Sequence, residues 1–436
     1  MKKSKLFKKG AASFYIVAFS TLILMILATS FAAVIISEVT RTSNDDLSQS
    51  AYDSAMAGVE DAKLAFYSYR NCAAQGYTKE NGTEACKEII EQMEEKNCDM
   101  VGEMLKREVN DAVQVQESSN VANNMQQAYT CVMISKDLPD YRADLNSSDS
   151  MDVIRPKFVE GITAADIGQI RINWYINNGE ATEYAKINSG DYVQFNSGMS
   201  SETPTPPVLS LTVLQTGGAD FAMSDFDTSV GDQTDRGMVY LVPTKQDSIS
   251  GSDEGYIKAW DGTNNVIDKN GFVRSNDKTA KGSDGKATNR PYMVYCNEEG
   301  TAEFMCSALV NLPEPIGGAR SDETFTVVVG MPYVSDSTEF SLEFYCKSGA
   351  VCGTEEGGST PSNQATLSGV QIEIDSTGKA NDLYRRVDVR LKPEDSSVLS
   401  ILGPLELLDT ENPGLVKDYR VGCEKNFISP GKEPNC

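Results

Sequence analysis

An uncharged run, AASFYIVAFSTLILMILATSFAAVIIS from Ala11 to Ser37, opens the hydrophobic pattern of the chain. As a helix rising about 1.5 Å per residue it is long enough to cross a bilayer core of about 30 Å. Beyond it, LSQSAYDSAMAGVEDAKLAF spaces Leu47, Ala51, Ala55, Val59, Ala62 and Phe66 three or four residues apart, with polar residues between them. That period puts the apolar positions on one helical face. No proline precedes Pro139, and Gly58 is the only glycine between Ala11 and Arg70. The two segments therefore predict one continuous helix over 11–70, on the order of 90 Å long.

Residues 71–127 keep a helical period but change character. CKEIIEQMEEKNCDMVGEMLKREVNDAV carries Ile90, Met93, Val101, Leu105 and Val109 on one side, charges elsewhere, and lies among Cys72, Cys86 and Cys98. This predicts a helical insertion pinned by disulfides to the main body, with Cys131 as a candidate anchor. Four cysteines allow three pairings, and spacing does not choose among them. From residue 128 the pattern turns to strands. AYTCVMIS, IGQIRINWYI, PVLSLTVLQ, GMVYLVP, ETFTVVVGMPYV, FSLEFYC, GVQIEID and YRRVDVRL are short and rich in β-branched and aromatic residues, the composition of strands. SGMSSETPTPP, residues 197–207, reads as a linker because closely spaced prolines resist regular structure. Residues 248–289 and 349–363 read as surface loops. The expected class is α+β: a long N-terminal transmembrane and spine helix, the disulfide-pinned helical insertion, then a large β-rich extracytoplasmic head. Its divisions fall at 1–10, 11–70, 71–127, 128–200 and 207–436.

A length of 436 residues allows two or three compact units. Charge orients the first helix. Lys2, Lys3, Lys5, Lys8 and Lys9 precede it, whereas the whole chain holds 39 basic against 63 acidic residues, a net charge of −24. Basic residues favour the cytoplasmic side of a membrane, so everything from Glu38 onward is expected outside. An exterior this acidic repels phosphate backbones, and no nucleic-acid partner is expected. All ten cysteines (Cys72, Cys86, Cys98, Cys131, Cys296, Cys306, Cys346, Cys352, Cys423 and Cys436) follow the apolar run, which fits disulfides in an oxidising compartment. Free buried thiols are the alternative reading. The last six look local, in neighbouring pairs. The chain contains no histidine, which removes Ser–His–Asp and Cys–His machinery and histidine-ligated metals. A Ser–Lys dyad or carboxylate pair stays open, but no spacing singles one out. No catalytic residue is assigned, and an enzyme is not expected.

The lysines, Lys9–Gly10, and an uncharged helix flowing into an amphipathic one resemble the class III leader of type IV pilins and type II secretion pseudopilins. The resemblance covers about residues 8–66; over the head it is one of kind only. It implies that a prepilin peptidase cuts between Gly10 and Ala11 on the cytoplasmic face and that the new N-terminus is methylated. It also implies that the helix passes from the bilayer into a filament core, with sibling pilins and the inner-membrane assembly machinery as partners. Shaft-forming members carry glutamate at the fifth mature position, where it pairs with a neighbouring ammonium. Here that position is Tyr15, and the first acid after the cut is Glu38. Loss of this acid is similar to some large minor components, the PilX-like and K-type pseudopilins. The expectation is a minor pilin-like subunit at or near the filament tip, acting in pilus assembly or initiation and in surface adhesion.

Two other readings of the N-terminus stand beside this one. One is an uncleaved, single-pass membrane protein whose outer part binds or adheres without entering a filament. The other is a secretory signal cut after Ser30–Phe31–Ala32, although its apolar stretch is long for a signal peptide. Elsewhere, DGTNNVIDKNG and DFDTSVGD gather oxygen ligands of the kind calcium takes, without the twelve-residue EF-hand spacing. They read as polar loops. Calcium in an acidic loop is the one cofactor left open, and no metal site is assigned. Asn81 and Asn146 begin glycosylation-type triplets. Arg385, Arg386 and Arg390 either pair with carboxylates or mark a partner surface, and Trp174 and Trp260 read as a core residue and a loop anchor.

Overall fold

One α-helix, α1 (Lys8–Ala74), extends through the uncharged run and on through the amphipathic stripe. At about 1.5 Å per residue it is about 100 Å long. It stops where Gly76 takes a left-handed conformation (φ 73°). Tyr77 N–H then bonds Cys72 O and Gly76 N–H bonds Ala73 O, the Schellman arrangement that satisfies the last carbonyls of a helix. The computed structural model describes residues 8–107, 112–115, 127–146, 149–176, 186–187, 193–194, 206–216, 236–244, 257–259, 261, 263–267, 292–296, 303–312, 324–331, 337–347, 352 and 363–393.

After α1 come α2 (Glu84–Glu95) and α3 (Met100–Met104). The Thr83 hydroxyl caps α2 by accepting from Cys86 N–H. The strands follow in order: β1 (Val113–Gln114), β2 (Ala128–Leu138), β3 (Asp140–Leu145), β4 (Met151–Ile154), β5 (Ile167–Ile176), β6 (Lys186–Ile187), β7 (Val193–Gln194), β8 (Leu209–Thr216) and β9 (Arg236–Thr244). Then come β10 (Ile257–Lys258), β11 (Val266–Ile267), β12 (Tyr292–Tyr295), β13 (Phe304–Asn311), β14 (Thr324–Gly330), β15 (Thr338–Cys346), β16 (Gln364–Ala365), β17 (Leu367–Ala380) and β18 (Leu383–Leu391). The class is α+β.

The chain divides into two compact units, Met1–Ser135 with Glu373–Val389, and Lys136–Ile372 with Arg390–Cys436. In the first, the sheet order is β1-β2-β17-β18, and the buried half of α1 lies on it. In the second, one sheet runs β10-β12-β9-β8-β14-β4 and another β11-β13-β5-β15-β16, with β3 also on β15. Both are mixed: β12 is parallel to β9 and β11 to β13, whereas β8, β14, β5 and β15 form antiparallel ladders. A single hydrophobic core joins the two sheets, built on Trp174, Phe325, Phe340, Phe344, Leu211 and Leu241.

Three expectations change at this level. The helical insertion does not continue to residue 127. Lys106 turns left-handed (φ 54°) and Arg107 N–H bonds Gly102 O at 2.9 Å, closing α3 with a second Schellman motif. Val113 and Gln114 then pair as a strand with Tyr129 and Ala128. The stretch at 197–207 does not divide the head: Ile170, Ile172 and Trp174 before it share one core with Leu209, Leu211 and Val213 after it. Of that stretch, only Pro206 and Pro207 are among the described residues, and both are buried. The region 248–289, expected as loops alone, contributes the short strands β10 and β11.

Candidate functional site: the two halves of the long helix

The amphipathic half of α1 is built for close approach. Ala51, Ala55, Val59, Ala62 and Ala65 are fully buried and Phe66 nearly so. Small side chains on this face let a strand lie against the helix backbone, and Gly378 of β17 is where it does. A Cβ placed on Gly378 would overlap Ala51 O and Ala55 N and stand 2.9 Å from Ala55 Cα. Two residues earlier, the buried Ser376 hydroxyl donates to Ala55 O at 2.7 Å. Gly58 makes the reciprocal approach from the helix, where a Cβ would meet Ser376 Oγ at 2.5 Å and Val132 Cγ2 at 2.7 Å.

The other half of α1 has no such partner among the described residues. From Phe14 to Asp46 every residue is exposed, and its large apolar side chains stand in the open, Tyr15 at 72 % and Phe31 at 68 % exposure. Sixteen of them, Phe14 through Val39, are exposed large hydrophobics. At about 1.5–3 kcal/mol per buried side chain, leaving them in water forfeits on the order of 25–50 kcal/mol. As a gain on burial this is large beside the whole stability of an ordinary domain, about 5–15 kcal/mol, so an apolar surrounding would be strongly favoured for this half. Its hydroxyls suit one: Ser20 bonds Val17 O, Thr21 bonds Ala18 O, Thr29 bonds Met25 O and Ile26 O, and Ser30 bonds Ile26 O. Each donor is satisfied within the helix, as a lipid-facing segment demands. This is one helix long and apolar enough to span a membrane. Gly10 and Ala11 lie in its first turns.

The segment after α1 is tied to the rest of the first unit at three points, two on α1 and one on β2. Cys72 at the end of α1 pairs with Cys86 of α2, Cα atoms 5.6 Å apart, beside Ile90, Tyr69 and Tyr77. Cys98 pairs with Cys131 of β2 at 4.3 Å. Asp61 of α1 takes Arg107 on Oδ1 at 2.6 Å and the Tyr129 hydroxyl on Oδ2 at 2.8 Å. Burial first, then the Asp61 carboxylate, pushes the Tyr129 phenol well above its ordinary value, so Tyr129 stays a neutral donor. A cavity of about 10 Å³ lined by Cys98, Gly102, Val113 and Tyr129 has room for about one water.

Several of the remaining sequence candidates have partners within the chain where they are described. Cys296 pairs with Cys306 and Cys346 with Cys352; Cys423 and Cys436 lie outside the described residues. Arg386 forks onto Asp375, Arg390 bonds Asp140, and Arg385 reaches the Ser48 hydroxyl. Trp174 is fully buried and its indole N–H donates to Pro207 O at 3.1 Å; Trp260 is outside the described residues. Asp261 spends one carboxylate oxygen on the amides of Thr263 and Asn264, which hold its carboxyl below the ordinary range. DFDTSVGD lies outside the described residues. Asn81 sits exposed in the α1–α2 turn, and Asn146 Oδ1 accepts from Asp149 N–H. No group of three metal-ligating side chains gathers among the described residues.

A charged network that sequence reasoning did not single out lies in the second unit. Arg142 bonds Asp140 through Nε and Glu303 through both terminal nitrogens, and lies 3.9 Å from Glu339. Asp140 is shared with Arg390 at 2.9 Å. Glu339 stands directly opposite Asp144 across the β3–β15 ladder. Burial, then that neighbouring acid, raises the Glu339 carboxyl above its ordinary value. No single segment holds the signal for this cluster, which needs the β3–β5–β15 register. No protein-family model, curated protein or solved structure matches the chain.

Proposed function

We propose that this chain is a minor, type IV pilin-like subunit, processed between Gly10 and Ala11 and anchored by residues 11–37 with its head outside the cytoplasm. One observation carries the reading: a single helix whose apolar half is wholly exposed and whose second half is seated on a four-stranded sheet at backbone contact. An apolar half with internally bonded hydroxyls suits both lipid and packing against sibling helices. The pair α2–α3 is an insertion held by Cys72–Cys86 and Cys98–Cys131.

Residues 139–366 intervene between β2 and β17, which are neighbours in one sheet. A tight turn suffices to join neighbouring antiparallel strands, so a folded unit in its place is an addition to the scaffold. It is the part expected to carry adhesion. Tyr15 in place of an acid favours a position at or near the filament tip, where no subunit above presents an ammonium to neutralise.

Mass spectrometry of the N-terminus in the assembling cell tests the reading. A methylated chain starting at Ala11, lost on Gly10→Asp, and recovered in sheared filaments supports it. An intact Met1, or a protein found only in membranes and never in filaments, would refute it in favour of an anchored binding protein.

A further inference from the structure

Between the two halves of α1 lies a stretch with neither kind of support. Residues 38–46, EVTRTSNDD, are exposed on every side. Phe14–Ser37 before them is the apolar surface, and the buried face begins at Ala51 after them. A helical stretch that packs against none of the described residues depends on its own propensity, and here that propensity is low. Val39, Thr40 and Thr42 are β-branched, and Ser43, Asn44, Asp45 and Asp46 all favour caps and turns over helix interiors. Glu38 and Arg41 alone are good helix formers. The Thr40 and Thr42 hydroxyls bond back to Ile36 O and Glu38 O, a pattern that loosens and bends helices.

We propose that residues 38–46 form an extensible joint, opening locally while the helix on both sides stays closed. As helix the nine residues span about 13 Å, and extended they span up to about 30 Å. Opening therefore gives the head up to about 16 Å of extra reach and frees its direction, without disturbing the close approaches of Gly378 to Ala51 and Ala55 or of Gly58 to Ser376. This rests on the proposed reading to the extent that residues 14–37 are held by a membrane or a filament.

Hydrogen exchange read by mass spectrometry on the full chain in lipid nanodiscs tests it. Amides of 38–46 should exchange at least about 100-fold faster than those of 51–66, as low-stability segments do, while those of 14–37 stay protected. The combined variant Thr40→Ala, Thr42→Ala, Ser43→Ala and Asn44→Ala, all at exposed positions, should slow exchange over 38–46 by about tenfold. Exchange over 38–46 as slow as over 51–66 would overturn the joint, and so would a variant that leaves it unchanged. Free exchange over 14–37 would instead overturn the held-helix reading beneath it, and the joint with it.

Discussion

Replacing Gly378 by alanine probes the contact that seats the helix on its sheet. The added Cβ meets only backbone, Ala51 O, Ala55 N and Ala55 Cα, so no side chain can swing aside. Bringing the 2.9 Å approach to Ala55 Cα back to an ordinary carbon contact of about 3.5–4.0 Å requires the strand to retreat by about 1 Å. The Ser376–Ala55 bond, 2.7 Å long, is then stretched beyond hydrogen-bond range. A buried hydroxyl left without a partner costs about 1–3 kcal/mol, and overpacking adds about 1–3 kcal/mol. Allowing for partial relaxation, the loss is about 2–4 kcal/mol.

Gly58→Ala serves as the internal control. Its Cβ meets Ser376 Oγ, Val132 Cγ2 and Tyr129 Cγ, all side-chain atoms able to shift. Alanine also gains up to about 1 kcal/mol of helix propensity over glycine. Its net cost is about 0–2 kcal/mol by the same reasoning. Urea unfolding of a soluble fragment beginning at Glu38 measures both, with hydrogen exchange over 51–66 reporting the first unit separately from the second. A Gly378→Ala midpoint equal to the parent's, or a larger loss from Gly58→Ala than from Gly378→Ala, would show that the backbone contact does not hold the helix.

Disulfide removal should follow loop length in the chain-entropy account. Opening Cys98–Cys131, separated by 33 residues, is expected to cost about 4 kcal/mol, and opening Cys346–Cys352, separated by 6, about 2 kcal/mol; denaturation midpoints of the paired Ser variants give the order, and a reversed order refutes it. Glu339 has a raised carboxyl, so its charged form costs stability once pH climbs through its folded pKa. Glu339→Gln should therefore stabilise the second unit at pH 7 and make no difference near pH 3.5, as read by thermal unfolding at the two pH values. Asp166 is shifted the other way by the Thr163 hydroxyl and amide; its contribution is present above the unfolded value and disappears as pH falls through the folded one. Asp166→Asn should lose a little stability at neutral pH and none in acid. Trp174→Phe deletes the bond to Pro207 O and leaves a gap in a fully buried site, a loss of about 2 kcal/mol measurable by urea titration.

The long helix was legible because its signals are local. Of the stripe Leu47, Ala51, Ala55, Val59, Ala62 and Phe66, all but the half-buried Leu47 are buried, together with Ser54, Gly58 and Ala65. IGQIRINWYI marks β5 residue for residue. FMCSALVN, by contrast, became β13 beside β5 although Met, Cys, Ser and Ala give little strand signal. The helical insertion misled because Val101, Leu105 and Val109 keep a helical spacing in the sequence while the stop at Lys106 depends on a left-handed lysine that composition does not mark. Least legible was the return of β17 and β18 to the first unit. Thr130 bonds Thr377 O across 247 positions, and nothing near either residue announces the other. Gly378 looks like an ordinary turn glycine in STGKAND until Ala51 and Ala55 are set beneath it.

The exposed half of α1 limits where specificity can reside. Lipid tails and neighbouring apolar helices offer Phe14, Leu22, Ile26 and Phe31 nearly the same surroundings, so moving between them changes little hydrophobic free energy. Exchange through water is another matter, since it exposes all of that surface at once and costs more than the fold can supply. On the proposed reading, transfer from membrane to filament is therefore direct, and the apolar half sets that a transfer occurs without choosing its partner. Discrimination must then come from groups that water does not treat alike in the two states. On this chain those are the charges beyond the apolar run, beginning with Glu38, Arg41, Asp45 and Asp46 on the exposed helix. With no acid between Ala11 and Ser37, partner choice on that reading moves outward from the apolar half of the helix toward the head.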